Sequence, residues 1–149
     1  MVKTKVKISG WSTGVVILSL LLFFFTVPHT LEDFATGEPA KAGIPALVIS
    51  YVIAGMFTLQ ALALFWTGRR MHRSYIMHAF IGLFWPLAAG TAQLPAILSG
   101  STYRAGFISL FYVGGMIVIG ILLFIVSILA LIAGRTVPVE KAASLQGRV

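Results

Sequence analysis

At 149 residues the chain fits one domain, yet 58% of it is apolar and only 10% is charged, where a water-soluble surface needs about twice that charge. That balance excludes an ordinary soluble enzyme or binding module and points to an integral membrane protein. The net charge of +7 sits in short basic clusters beside apolar runs, which suits anionic lipid heads and not nucleic acid, and the absence of cysteine removes disulfides, thiolate nucleophiles and cysteine–metal sites.

Lys3, Lys5 and Lys7 lead into the first apolar run, residues 11–27, WSTGVVILSLLLFFFTV. It is slightly short for a span, since about 20 helical residues cross the hydrocarbon core. A basic start before an apolar run also describes a signal peptide, but TVPHT holds no small-x-small cleavage pattern, so an uncleaved helix is expected.

Directly after this run comes PHTLED, residues 28–33. If the helix continues past Pro28, His29, Glu32 and Asp33 share one face. An imidazole and two carboxylates there suit proton transfer, a cationic ligand or pH-dependent behaviour. These three are the candidate catalytic residues. A hard or borderline metal would need further ligands from elsewhere, and no metal site is assigned. The plain alternative is a solvated helix end, where acidic residues are ordinary. The segment belongs to the largest expected connection, about residues 28–43, in which Glu38, Pro39 and Lys41 would shape a turn or a partner contact.

The second predicted span, residues 44–66, carries Ala46, Ser50, Ala54 and Thr58 four apart, a small-residue stripe that lets another backbone approach. Gln60 lies in its later half. A basic turn follows at about residues 67–74, where Arg69, Arg70 and Arg73 would contact lipid phosphates or a partner.

The third predicted span, residues 75–98, holds His78, Pro86, Gln93, Pro95 and the small stretch AAGTA. Polar groups inside a membrane are costly unless paired. His78 lies about one turn in depth from Gln60, so the two suit an interhelical hydrogen bond or the head of a quinone-like cofactor. Haem held by two histidines is disfavoured, because His29 sits at the opposite end and His72 lies in the basic turn. No cofactor is identified. Pro86 should kink the helix or open a cavity.

The fourth predicted span, residues 105–133, is long enough to tilt or emerge. Gly114, Gly115 and Gly120 offer close packing, and Arg104 at its start would pair with Glu32, Asp33 or Glu38. Arg135, Lys141 and Arg148 follow it.

The expected fold is therefore an all-α integral membrane protein with four transmembrane helices in a single domain, residues 1–149. The spans lack the period-2 alternation of barrel strands, and none contains Asp, Glu, Lys or Arg. Basic residues gather at both ends of the chain and in the middle turn, which places both termini in the cytoplasm and the acidic connection outside. A plasma or cytoplasmic membrane is the expected location.

Metalloprotease H-E-x-x-H, glycine-rich phosphate loop and haem C-x-x-C-H motifs are all missing. The leading functional expectation is a small polytopic subunit of a larger membrane assembly, docking a partner through its acidic loop. Its partners would be membrane lipids and other membrane subunits or further copies of itself, with no nucleic acid. A membrane enzyme or ligand-binding protein with a His29–Glu32–Asp33 mouth and a lipid-like substrate is the alternative. An oligomeric small-solute channel or carrier is the third.

Overall fold

A computed structural model of the chain describes residues 10–99 and 106–135. Among them there are helices and no strands: α1 (Gly10–Ala35), the short α2 (Glu38–Lys41), α3 (Ala46–Gly68), α4 (Arg73–Leu98) and α5 (Phe107–Arg135). The four long helices are each long and apolar enough to cross a membrane. A helix satisfies its own backbone polar groups, so this is the form an apolar chain takes in lipid.

Inward-facing positions follow one rhythm. They are Val15, Ser19, Leu22, Thr26 and His29 in α1 and Met56, Gln60, Ala63 and Thr67 in α3. In α5 they are Ser109, Val113, Met116, Gly120, Leu123, Ser127 and Ala130. Steps of four and three alternate, giving the 3.5-residue period of left-handed helix packing. The interior is rich in hydroxyls, amides and imidazoles, whereas Leu20, Phe24, Leu47, Phe80, Leu87 and Ile132 lie outside. Lipid tails are as apolar as leucine, so burying leucine gains little here. Close contact and hydrogen bonds hold the bundle instead.

α5 packs most extensively on α4 and next on α1, while α3 leans chiefly on α4 and its backbone does not come close to that of α5 among the described residues. The α4–α5 crossing is the tightest place. A Cβ on Gly82 would lie 2.6 Å from the Phe124 backbone nitrogen, and one on Gly120 would lie 2.5 Å from the Pro86 ring. Pro86 therefore packs against α5. Of the three glycines expected to pack closely, Gly120 and Gly115 do, the latter against the Phe25 ring, whereas Gly114 meets nothing within 4 Å.

Two boundaries differ from expectation. The connection expected over residues 28–43 is helical as far as Ala35, with Pro28 inside α1. Proline removes one backbone donor, a loss that a helix in lipid tolerates. α1 ends at Ala35, and Gly37 just beyond it has a φ of 71°, the left-handed conformation common past helix ends. The basic turn is also shorter than residues 67–74: α3 runs through Gly68 and α4 starts at Arg73.

Candidate functional site

Continuation of α1 through Pro28 decides where PHTLED points. His29 is buried at 3% exposure, and Thr30 beside it is buried too. One turn on, Asp33 places Oδ2 3.5 Å from His29 Nε2. Glu32 lies on the flank of this face and turns toward α5, where it accepts a hydrogen bond from the Ser109 hydroxyl. Its second oxygen, Oε2, is buried without a partner among the described residues. The three candidate residues thus divide: His29 and Asp33 act as a pair, and Glu32 belongs to an α1–α5 contact.

His29, Thr30 and Asp33 line a cavity of about 150 Å³ between α1, α3 and α4. Gln93, 7% exposed, joins them from α4. Ile49, Val52, Ile53, Phe84, Trp85 and Met116 supply apolar walls, and Ala88, Ala89 and Ala92 leave the space open. Trp85 is 5% exposed, and its indole Nε1–H has no acceptor among the described residues. A buried polar group without a partner is uncommon and calls for a water or ligand. Val52 and Ala92 on the rim are exposed, so the cavity reaches the outer surface of the bundle between α3 and α4.

Chemically, the carboxylate of Asp33 is placed to hold the imidazole of His29, the arrangement that orients a histidine for proton exchange. Gln93 and Thr30 each offer a donor and an acceptor. Among the described residues, no three His, Asp or Glu side chains gather as metal ligands. Arg104, expected to pair with this acidic segment, lies outside the described residues. Glu38 pairs with Lys41 at 2.8 Å inside α2, away from the cavity. An exposed pair of this kind is worth about 1 kcal/mol or less.

At the opposite end of the bundle, Gln60 and His78 are fully buried but do not bond each other, contrary to expectation. The Gln60 amide donates across to α1, 2.8 Å from the Ser19 carbonyl and 3.1 Å from its hydroxyl. His78 Nε2 lies 3.1 Å from the Thr67 hydroxyl, which itself donates to the Ala63 carbonyl at 2.9 Å. With that hydroxyl hydrogen used, the imidazole Nε2–H donates and Nδ1 is left as an acceptor. Each polar residue thus pins a different helix pair, because helix rotation and not equal depth decides which side chains meet. Arg69, Arg70 and Arg73 are exposed beside this end. The Arg69 guanidinium sits 4.3 Å from the Phe65 ring centre.

Trp85, Thr30 and Ser109 were not singled out from the sequence. The signal was present in α4: His78 and Trp85 are seven residues apart and Gln93 eight further on, all on the buried stripe. No family model, curated protein or solved structure matches the chain.

Proposed function

We propose that this is a membrane protein that binds a small lipid-like ligand, with its polar part held beside His29, Asp33 and Gln93. The observation that carries the reading is the cavity itself, which joins a buried histidine–carboxylate pair to apolar walls and reaches the surface between two membrane helices. A ligand dissolved in the bilayer would enter sideways there. His29 and Asp33 would orient the ligand or exchange a proton with it. Both termini and the Arg69–Arg70–Arg73 turn are assigned to the cytoplasm on the distribution of positive charge, which sets the cavity at the outer leaflet of a cytoplasmic or plasma membrane.

Native mass spectrometry of the protein released from its own membrane tests the reading. The expected result is one retained small amphiphile in the wild type, lost in Asp33→Asn and Gln93→Leu. Equal retention of bulk phospholipid by all three proteins, with nothing else bound, would sink it.

A second reading, a subunit of a larger membrane assembly, draws support from α3. Its stripe of Ala46, Ser50, Ala54 and Thr58 lies at the surface, and the Ser50 and Thr58 hydroxyls are folded back onto the Ala46 and Ala54 carbonyls. That leaves a smooth face suited to close approach by another helix. Cross-linking in the intact membrane from Ala54→Cys reads it out directly: a discrete adduct is expected, and a lone monomer contradicts it.

A further inference from the structure

The turn between α3 and α4 carries three exposed arginines, Arg69, Arg70 and Arg73. None of them joins an ion pair among the described residues, where the pairs are His29–Asp33 and Glu38–Lys41. Carboxylates are also remote. The chain has four Asp and Glu in all. Glu140 lies outside the described residues, and Glu32, Asp33 and Glu38 sit at the other end of the bundle. The Ser12 hydroxyl, 2.7 Å from that of Tyr75, fixes the start of α1 beside the start of α4. From Ser12 to Glu32 the helix then runs about 30 Å, well past the screening length of about 8 Å at physiological salt. The arginines therefore meet the headgroup layer with no anion of the described protein to balance them.

Holding topology asks only for positive charge, which the amino-terminal cluster of Lys3, Lys5 and Lys7 supplies with lysine. The turn differs in two ways. Each of its cations is arginine, whose planar fork grips a phosphate through paired N–H groups where an ammonium offers a point charge. Arg70 also has a φ of 59°, a left-handed conformation usually left to glycine or asparagine. The turn closes through Arg70 N–H on the Thr67 carbonyl and Met71 N–H on the Trp66 carbonyl, both at 3.0 Å. Glycine would suit that backbone better, so the fold itself does not select arginine there. The Arg69 guanidinium lies 4.3 Å from the centre of the exposed Phe65 ring, one turn back in α3. Stacking uses the face of the guanidinium, keeps the charge beside the apolar span and leaves the edge N–H groups for an anion. From this we infer that the turn binds the phosphate of an anionic phospholipid, held by the arginine forks at the edge of the bilayer. A zwitterionic lipid brings its own ammonium to the same place, which the arginines repel. The site lies at the far end of the bundle from the His29–Asp33 cavity and does not depend on the ligand-binding reading.

The test takes the full chain from vesicles of mixed phosphatidylcholine and phosphatidylglycerol into native mass spectrometry. One phosphatidylglycerol is expected to be retained, favoured over phosphatidylcholine by about tenfold or more. Replacing Arg70→Lys together with Arg73→Lys keeps the net charge and should cut the preference to about twofold or less. Removing the amino-terminal lysines together should leave it intact. Equal preference in the double-lysine variant would mean diffuse charge and overturns the site, as does loss on removing the amino-terminal lysines alone. Glycerol phosphate in excess should displace little of the lipid; full displacement overturns the lipid assignment in favour of a free phosphate compound.

Arg70→Gly guards against a folding artefact, because glycine suits the left-handed turn. Its thermal midpoint in neutral detergent should match or exceed that of wild type, while the rise in midpoint on adding phosphatidylglycerol should be lost. A rise as large as in wild type overturns the role of Arg70. Asp33→Asn and Gln93→Leu should retain the phosphatidylglycerol fully. If they release it, the lipid sits in the cavity and the turn is not its site.

Discussion

Helix α4 has two sides lined by small residues, and the bundle uses them in opposite ways. Toward α5, Gly82 meets Gly120 and the Phe124 backbone so closely that no Cβ fits. Toward α3, Ala88, Ala89 and Ala92 face Ile49, Val52 and Ile53 across an open cavity. Where small meets small, at Gly82 and Gly120, the backbones touch, and the hollow of about 260 Å³ on that side opens only beside the contact. Where small faces large but distant partners, space is left, and polar residues from α1 and α4 border it. A small-residue motif in a membrane helix therefore predicts contact or vacancy, and the opposite helix decides which.

Breaking the tight side should have the largest effect. Gly82→Val places a branched side chain against the α5 backbone, which, unlike a flexible side chain, has nowhere to move. A loss of about 3 kcal/mol or more is expected, at the upper end of overpacking costs, read as a drop in thermal midpoint in detergent. Gly114→Val on the exposed face of α5, with nothing within 4 Å, should stay within about 0.5 kcal/mol of wild type. Equal loss in both would mean that glycine serves flexibility and not close approach.

The open side is held at its far end by a hydrogen bond instead of backbone contact. Thr67→Val removes the hydroxyl acceptor for His78 Nε2–H and leaves a fully buried imidazole one partner short. The expected cost is about 1–2 kcal/mol, between the value of an interhelical hydrogen bond and the penalty for an orphaned group. Thr67→Ser keeps the hydroxyl and should recover most of it. If Val and Ser behave alike, the Thr67–His78 bond does not pin α3 to α4.

Filling the cavity separates stability from function. Ala89→Leu adds apolar volume where space exists, so stability should change by less than about 1 kcal/mol, since the usual overpacking strain is absent. Ligand retention should disappear. A large loss of stability would show that the wall residues have already closed the space.

The contrast also explains what the sequence could tell. The four spans were legible from length and hydropathy, because lipid imposes apolar runs of about 20 residues whatever the helices do inside. The candidate pair His29 and Asp33 was legible as a one-face spacing, conditional on α1 passing Pro28. Facing was not legible. The stripe from Ala46 to Thr58 reads as a face for close approach by another backbone without saying whose, and the face α3 turns to its own bundle is Met56, Gln60, Ala63 and Thr67. Both stripes are rich in small and polar residues, and only the 3.5-residue rhythm shared with α1 and α5 distinguishes them. Of the small stretch AAGTA in α4, Ala88, Ala89 and Ala92 line the cavity, a placement set by the distance to α3.

The smallest expected effect is on that unused stripe. Ala54→Leu projects from an exposed site of α3, so the isolated bundle should keep its stability to within about 0.5 kcal/mol. In the membrane the same change has two distinct outcomes. If lipid covers α3, oligomeric state and ligand binding are both unaltered, and the small residues there merely avoid bulk. If another helix covers it, the added branch separates the backbones and an adduct formed from Ser50→Cys on the same face is lost, because close approach is what small residues contribute in lipid. Since α3 also forms one wall of the cavity, a partner on its outer face would set how widely the gap to α4 opens. Loss of ligand retention together with the adduct would place the two readings in one mechanism, with assembly controlling entry to the site.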